Sequence, residues 1–230
     1  MIGRINSAAQ IGRLNRVVRR KEAGGAWWLA GGIDPSDCVA AYQAKGAASY
    51  AASKVNLANP GTYDLFADSG KDLSWSAATG WTGDGTKYLR LGTIAPNDQS
   101  WSVIVCFAGG YASHHLFGFG PPKVNGRFTI TIDYANDWIS YQTGYYTGTT
   151  AVQPKIDGGV LAIAGRNCYR NGVLDTTLNA DSGSSGEIWV GGRLGRTTDN
   201  LKGNLIAIAF YSITLSAVQV AALTIAMNAL

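Results

Sequence analysis

Glutamate is almost missing from this chain. Only Glu22 and Glu187 are glutamates, and histidine is confined to the adjacent pair His114 and His115. That scarcity removes most catalytic kits. Polysaccharide-cleaving sandwiches place two carboxylates about one glycosidic bond, and with Glu22 so near the start of the sequence no Glu pair can be assembled. Asp133 and Asp137 are the nearest substitute, but their spacing puts them on a strand end and its loop, where they read as solvated turn acids. Neighbouring histidines point to opposite sides of an extended chain. They also lack a third partner for a metal or a triad, so they are expected in a loop. Gly118-x-Gly120 runs into Pro121-Pro122, which blocks the helix that a phosphate-binding loop opens. The inventory predicts a protein that is not an enzyme.

Cysteine is sparse as well. Cys38, Cys106 and Cys168 are odd in number and widely spaced, without a Cys-x-x-Cys pair. Neither a structural zinc site nor a disulfide framework is indicated, and folding in a reducing cytoplasm is the expectation. No apolar run approaches the length of a membrane span. The stretch 26–33 is too short and too broken by glycine for a secretory core.

What the chain has in quantity is glycine, 30 residues in 230, with 46% hydrophobic residues. That composition suits many short strands joined by tight turns around a sizeable core. Leu205 to Tyr211 is apolar on both alternating faces and reads as a strand buried on both sides. Val160 to Ala164 is a second such run. Phe128, Ile130, Ile132 and Tyr134 alternate with Thr129, Thr131 and Asp133, a strand with one wet face. Trp101, Val103, Val105 and Phe107 share one strand face, and Gly186 to Gly191 carries a further strand. Asn171-Gly172 is the strongest hairpin signal. Ser216 and Gln219 have capping-box spacing, and Val218, Ala221, Ala222 and Ile225 predict a helix over about 217–227. Residues 34–80 read as an irregular opening with one short helix near Ser49–Val55.

Four motifs occur in one order. Trp81-Thr-Gly-Asp-Gly-Thr-Lys-Tyr88-Leu89 comes first, then Trp101 to Phe107, then Tyr169-Arg-Asn171-Gly172-Val-Leu174. Gly203-x-Leu205-x-x-Ile208-x-x-Tyr211-x-x-x-Leu215-Ser216 closes the set. Together they resemble the concanavalin A-like, laminin G-type domains, over roughly residues 38–227. The resemblance implies an all-β antiparallel jelly-roll β-sandwich with a short C-terminal helix. It is a fold used for glycan binding, protein binding and structural display, so fold does not settle function. Laminin G-type relatives often hold calcium through acids on rim loops. No paired acid motif here matches, and no metal or other cofactor is expected. The stretch from Cys38 to Tyr50 is similar to phage and prophage virion proteins that carry this sandwich.

Charge is distributed unevenly. Residues 1–22 carry six basic groups against Glu22, a net +5, while the remainder holds 13 basic and 14 acidic groups, a net −1. Ile11, Leu14 and Val18 fall on one side of a helix and Arg13, Arg16 and Arg20 on the other, with Ala23-Gly24-Gly25 as a hinge. The chain therefore divides into a basic arm, 1–26, and a sandwich, 27–230. Nucleic acid is a poor partner, since no aromatic is interleaved with the arginines and the body offers no basic face. Trp27 and Trp28 either clip onto the domain's own surface or join the arm in docking a partner.

Two functions are open. The first is a multi-copy structural component of a phage particle, capsid decoration or tail-associated, folded in the bacterial host cytoplasm. Its arm and Trp27–Trp28 would dock onto capsid or tail subunits. The alternative is a glycan-binding module for host or mucus polysaccharide, built from Asp133, Asn136, Asp137, Trp138, Tyr141 and Tyr145, because sugars are held by aromatic faces with a few placed amides and carboxylates. Alternation sets Tyr141 on the opposite face to Trp138, so not every ring of this stretch faces out.

Overall fold

Large side chains meet between two sheets in this structure, and small ones line the outside of the larger sheet. The computed structural model describes residues 25–94, 99–109, 114–119, 127–133, 136–144, 150–180, 186–193 and 200–230. Sheet A runs in spatial order β12 (Val173–Thr177), β11 (Asn167–Arg170), β10 (Gly158–Ala164), β5 (Ser102–Ala108), β14 (Lys202–Tyr211), β3 (Gly80–Asp84) and β2 (Ser74–Ser76). The second half of β14 also pairs with β1 (Cys38–Gln43). Sheet B runs β4 (Leu89–Ile94), β13 (Gly186–Val190), β6 (His114–Phe119), β7 (Arg127–Asp133), β8 (Trp138–Gly144) and β9 (Thr150–Pro154). All pairings are antiparallel. The predicted antiparallel β-sandwich with a short C-terminal helix is what the chain forms.

Along β14 the alternation is one of size rather than polarity. Leu205, Ile208 and Phe210 enter the core between the sheets, with Trp81, Val105, Phe107, Phe117, Ile130 and Ile139. Ala207 and Ala209 face outwards with Ala41, Cys106, Ala162 and Ala164. On this small-residue face lies α2 (Ala217–Asn228), which follows the short helix α1 (Tyr50–Ser53) in chain order. The α2 helix lays Val220, Leu223 and Met227 onto the sheet. Its start is the predicted capping box, with Ser216 and Gln219 exchanging side chain–backbone hydrogen bonds.

The Trp27–Leu29 3₁₀ turn flanks α2 on one side, and a Cβ on Gly31 would meet Gln219 Cα at 3.0 Å. On the other side sits the β11–β12 turn. Asn171 (φ 50°) and Gly172 (φ 81°) take the left-handed pair of angles that the Asn-Gly signal predicts.

Three elements differ from the sequence reading. The opening contains β1, which pairs with the second half of β14 in sheet A. Its Cys-Val-Ala-Ala-Tyr-Gln run looks irregular because alanine is a weak strand signal, yet Ala40 and Ala41 are fully buried, one on each face of the sheet. Ser74–Ser76 adds the edge strand β2 before the first predicted strand. His114 and His115 lie in β6 and are buried, not in a loop. Elsewhere α1 is capped by Ser49, whose Oγ accepts from Ala52 N–H. The three thiols are free and buried, and burial pushes that of Cys106 up to about 11. Among the described residues no helix is long and apolar enough to cross a membrane. The basic arm, with Ile11, Arg13, Leu14, Arg16, Val18 and Arg20, lies outside the described residues.

A leucine on the alanine face would push α2 off the sheet. Ala209→Leu should lower stability by about 1–3 kcal/mol in denaturant melts, whereas Val152→Thr on exposed β9 should stay within about 0.5 kcal/mol.

Candidate functional site

Sheet A is covered on its outer face, and the outer face of sheet B carries the polar chemistry. Core packing fixes its identity: Phe128, Ile130 and Ile132 of β7 and Ile139 and Tyr141 of β8 point inwards. Alternation then turns Thr129, Thr131 and Asp133, and Trp138, Ser140 and Gln142, outwards. The register sets Thr129 opposite Gln142, Thr131 opposite Ser140 and Asp133 opposite Trp138. On the far side of β7, His115 stands opposite Thr131, with its Nδ1 2.8 Å from Thr131 Oγ1 and 3.3 Å from Thr129 Oγ1. Gln142 Nε2 donates to Ser140 Oγ at 3.0 Å.

The β7–β8 connection is the accessible corner of this face. Asn136 donates to Asp133 twice, from its backbone N–H at 3.2 Å and from Nδ2 at 2.9 Å. Asp137 follows at φ 57°, a left-handed angle that Asp tolerates in turns, and pairs with Lys155 Nζ at 2.7 Å. That pairing is the first cause of a Lys155 pKa raised above its ordinary value. Trp138 is half-buried beside them, and its indole N–H has no partner among the described residues.

At the opposite edge a second cluster is tied up in itself. Arg90 Nε donates to Glu187 Oε1 at 2.6 Å and Arg90 Nη1 to Asp68 Oδ1 at 2.7 Å. Tyr88 hydroxyl donates to Asp68 Oδ2 at 2.8 Å, and its ring stacks on Trp189 at 3.8 Å. Between the two clusters Arg193 crosses the sheet over Gly118, where a Cβ would meet Arg193 Cγ at 2.6 Å. Only glycine leaves room for that passage.

The structure thus brings Asp133, Asn136, Asp137 and Trp138 into one corner. It does not bring Tyr141 there. Tyr141 is a core residue at 0% exposure, its hydroxyl 3.1 Å from Asp175 Oδ2, and burial drives its pKa upwards. Tyr145 lies outside the described residues. Trp27 is 7% exposed and packs beneath the chain's own α2, with Trp28 partly buried against it. Sequence reasoning missed Lys155 and His115, because only the ion pair with Asp137 and the β6–β7 register place them here. Among the described residues no group of three or more His, Cys, Asp or Glu side chains is placed to hold a metal.

No protein-family model matches the chain, and neither does any curated protein. Solved structures do share its fold. A Trypanosoma rangeli sialidase in complex with sialic acid matches at TM-score 0.62 and 11% identity, over 84% of this chain and 33% of that one. A mutant of the same sialidase displaying trans-sialidase activity matches at TM-score 0.59 and 10% identity, over 85% and 34%. A Ruminococcus gnavus IT-sialidase CBM40 bound to α2,3-sialyllactose reaches TM-score 0.43 and 16% identity, over 56% and 84%, too loose a likeness to argue from. The chain spans about a third of the length of the sialidases it matches. At these identities the likeness is one of fold. It corrects one expectation: the chain's scarcity of glutamate and histidine predicted a protein that is not an enzyme, yet the sandwich recurs within enzyme chains. The inventory therefore excludes nothing about catalysis.

The Arg90 cluster has a pH signature. Hydrogen bonds from Arg90 first, then Tyr88, hold the Asp68 carboxyl below its ordinary 3.8. A carboxyl depressed by folding adds stability above its unfolded pKa and gives it up as pH falls through the lower folded value. Asp68→Asn should therefore lose less thermal stability than the parent as pH falls below about 4. Equal losses in melting scans would show that the cluster carries no such linkage.

Proposed function

We propose that this protein binds carbohydrate on the outer face of sheet B, at the corner formed by Asp133, Asn136, Asp137 and Trp138. Thr131 and Gln142 extend that corner along the sheet. One observation carries the reading. One face of the sandwich is consumed by α2, while the other presents an aromatic ring beside carboxylates, an amide and hydroxyls. That is the group set by which saccharides are held, ring faces against the indole and hydroxyls against the polar groups. The shared fold with sialidases, one of them solved with sialic acid, supports the choice of a glycan as ligand and suggests acidic and neutral lactose-based sugars as first probes.

A place in a phage particle is the second proposal. In it the sandwich faces outwards in many copies after folding in the host cytoplasm. It rests on the charge of residues 1–22 and on the virion-like stretch from Cys38 to Tyr50, and none of the solved structures compared above is a virion protein. The glycan reading takes precedence because it stands on described geometry.

Titration calorimetry with lactose, α2,3-sialyllactose and β-glucan oligosaccharides tests it. At least one should bind, Trp138→Ala should weaken binding about tenfold or more, equivalent to about 1.4 kcal/mol, and Tyr141→Phe should leave it unchanged. No heat from any probe at millimolar concentration, or equal binding by Trp138→Ala, would remove this corner from the function.

A further inference from the structure

The α2 helix has the sequence of a helix buried on every side. Residues 217–228 contain no charged side chain, whereas a helix lying on a protein surface normally turns a polar stripe to water. Its inner stripe, Val220, Leu223 and Met227, is on sheet A. One flank is taken by Gly31 against Gln219 and Ala222, the other by Gly172 against Ala221 and Thr224. The outward stripe is left: Val218 at 76% exposure and Ile225 at 74%. Leu174 on β12, opposite outward-facing Tyr169, adds to it at 54%. Exposed apolar side chains gathered in this way mark a docking surface.

We propose that the occupant is the chain's own basic arm, with Ile11, Leu14 and Val18 seated along Val218 and Ile225. Three observations select it. The arm's attachment point is at the helix: Trp27 already packs beneath α2, and the described chain begins two residues earlier at Gly25. The spacing agrees, since Ile11 to Val18 and Val218 to Ile225 are both i, i+7 pairs, about 10 Å along a helix. The reach suffices, because the residues between Val18 and Gly25 extend to about 23 Å, more than the roughly 18 Å length of α2. Docked in this way, the arm turns Arg13, Arg16 and Arg20 away from α2, so the covered face becomes a cationic one.

Thiol labelling of the full chain tests this. The native cysteines are buried, so Val218→Cys supplies the reporter, Ile225→Cys a second, and exposed Val152→Cys a remote control. Adding Leu14→Asp should speed labelling at 218 and 225 by about tenfold or more, leave the control unchanged, and leave the melting transition of the sandwich in place. Equal rates with and without Leu14→Asp overturn the proposal. So does protection that disappears on dilution alongside a dimeric mass in light scattering, which would assign the stripe to a second copy.

Discussion

Everything in this sandwich follows from sheet A having to be dry on both faces. A strand with a core on one side and a helix on the other cannot alternate apolar with polar, so it alternates large with small. Ile208 and Phe210 fill the wide space between the sheets, and Ala207 and Ala209 leave the narrow space that lets α2 lie close. β10 follows the same rule, with Ala162 and Ala164 outwards against Leu161 and Ile163 inwards, whereas β5 sends Ile104 outwards beside Cys106. The cost is that the centre of sheet A is closed to solvent on both faces. Sheet B turns hydroxyls, an amide, an imidazole, an indole and a carboxylate outwards, with Thr129, His115 and Ser140 themselves buried and the Asn136–Asp137 turn exposed.

Legibility in the sequence tracks this division. Where a strand obeys a local rule the chain states it: the Asn171-Gly172 turn, the capping box at Ser216 and the alternation from Phe128 to Asp133 all appear where their spacing predicts. Where the environment is non-local the signal is mute. β1 is poor in strand-forming side chains, and the partner that makes it a strand, β14, is encoded far downstream. His114 and His115 read as loop residues because nothing adjacent to them announces a strand, and Thr131 becomes the neighbour of His115 only through the β6–β7 register.

The candidate site divides in the same way. Asp133, Asn136, Asp137 and Trp138 are nearly contiguous in the chain, so one turn suffices to gather them. Tyr141 belongs to the same stretch, yet the two-residue period sends its ring into the core, where Asp175 meets its hydroxyl. Lys155, just past β9, joins the corner through its ion pair with Asp137, which no local pattern encodes. Catalysis was the least legible property. An inventory of residue types describes one chain, and the fold it adopts also occurs inside much longer enzymes.

The position of β14 in sheet A carries a consequence for how the molecule comes into being. It is the last strand of the chain and the one to which β1, β3 and β5 all pair. During synthesis the three earlier strands therefore wait, with their mutual partner still inside the ribosome. Sheet A is a template completed by its final piece, and the loop closed when Cys38 meets Tyr211 spans most of the polypeptide. Such long-range pairing is slow, so the nascent chain spends its elongation with unsatisfied strand edges exposed. Completion of sheet A therefore waits on translation of β14, and exposure to aggregation lasts for the interval between translation of β5 and emergence of β14.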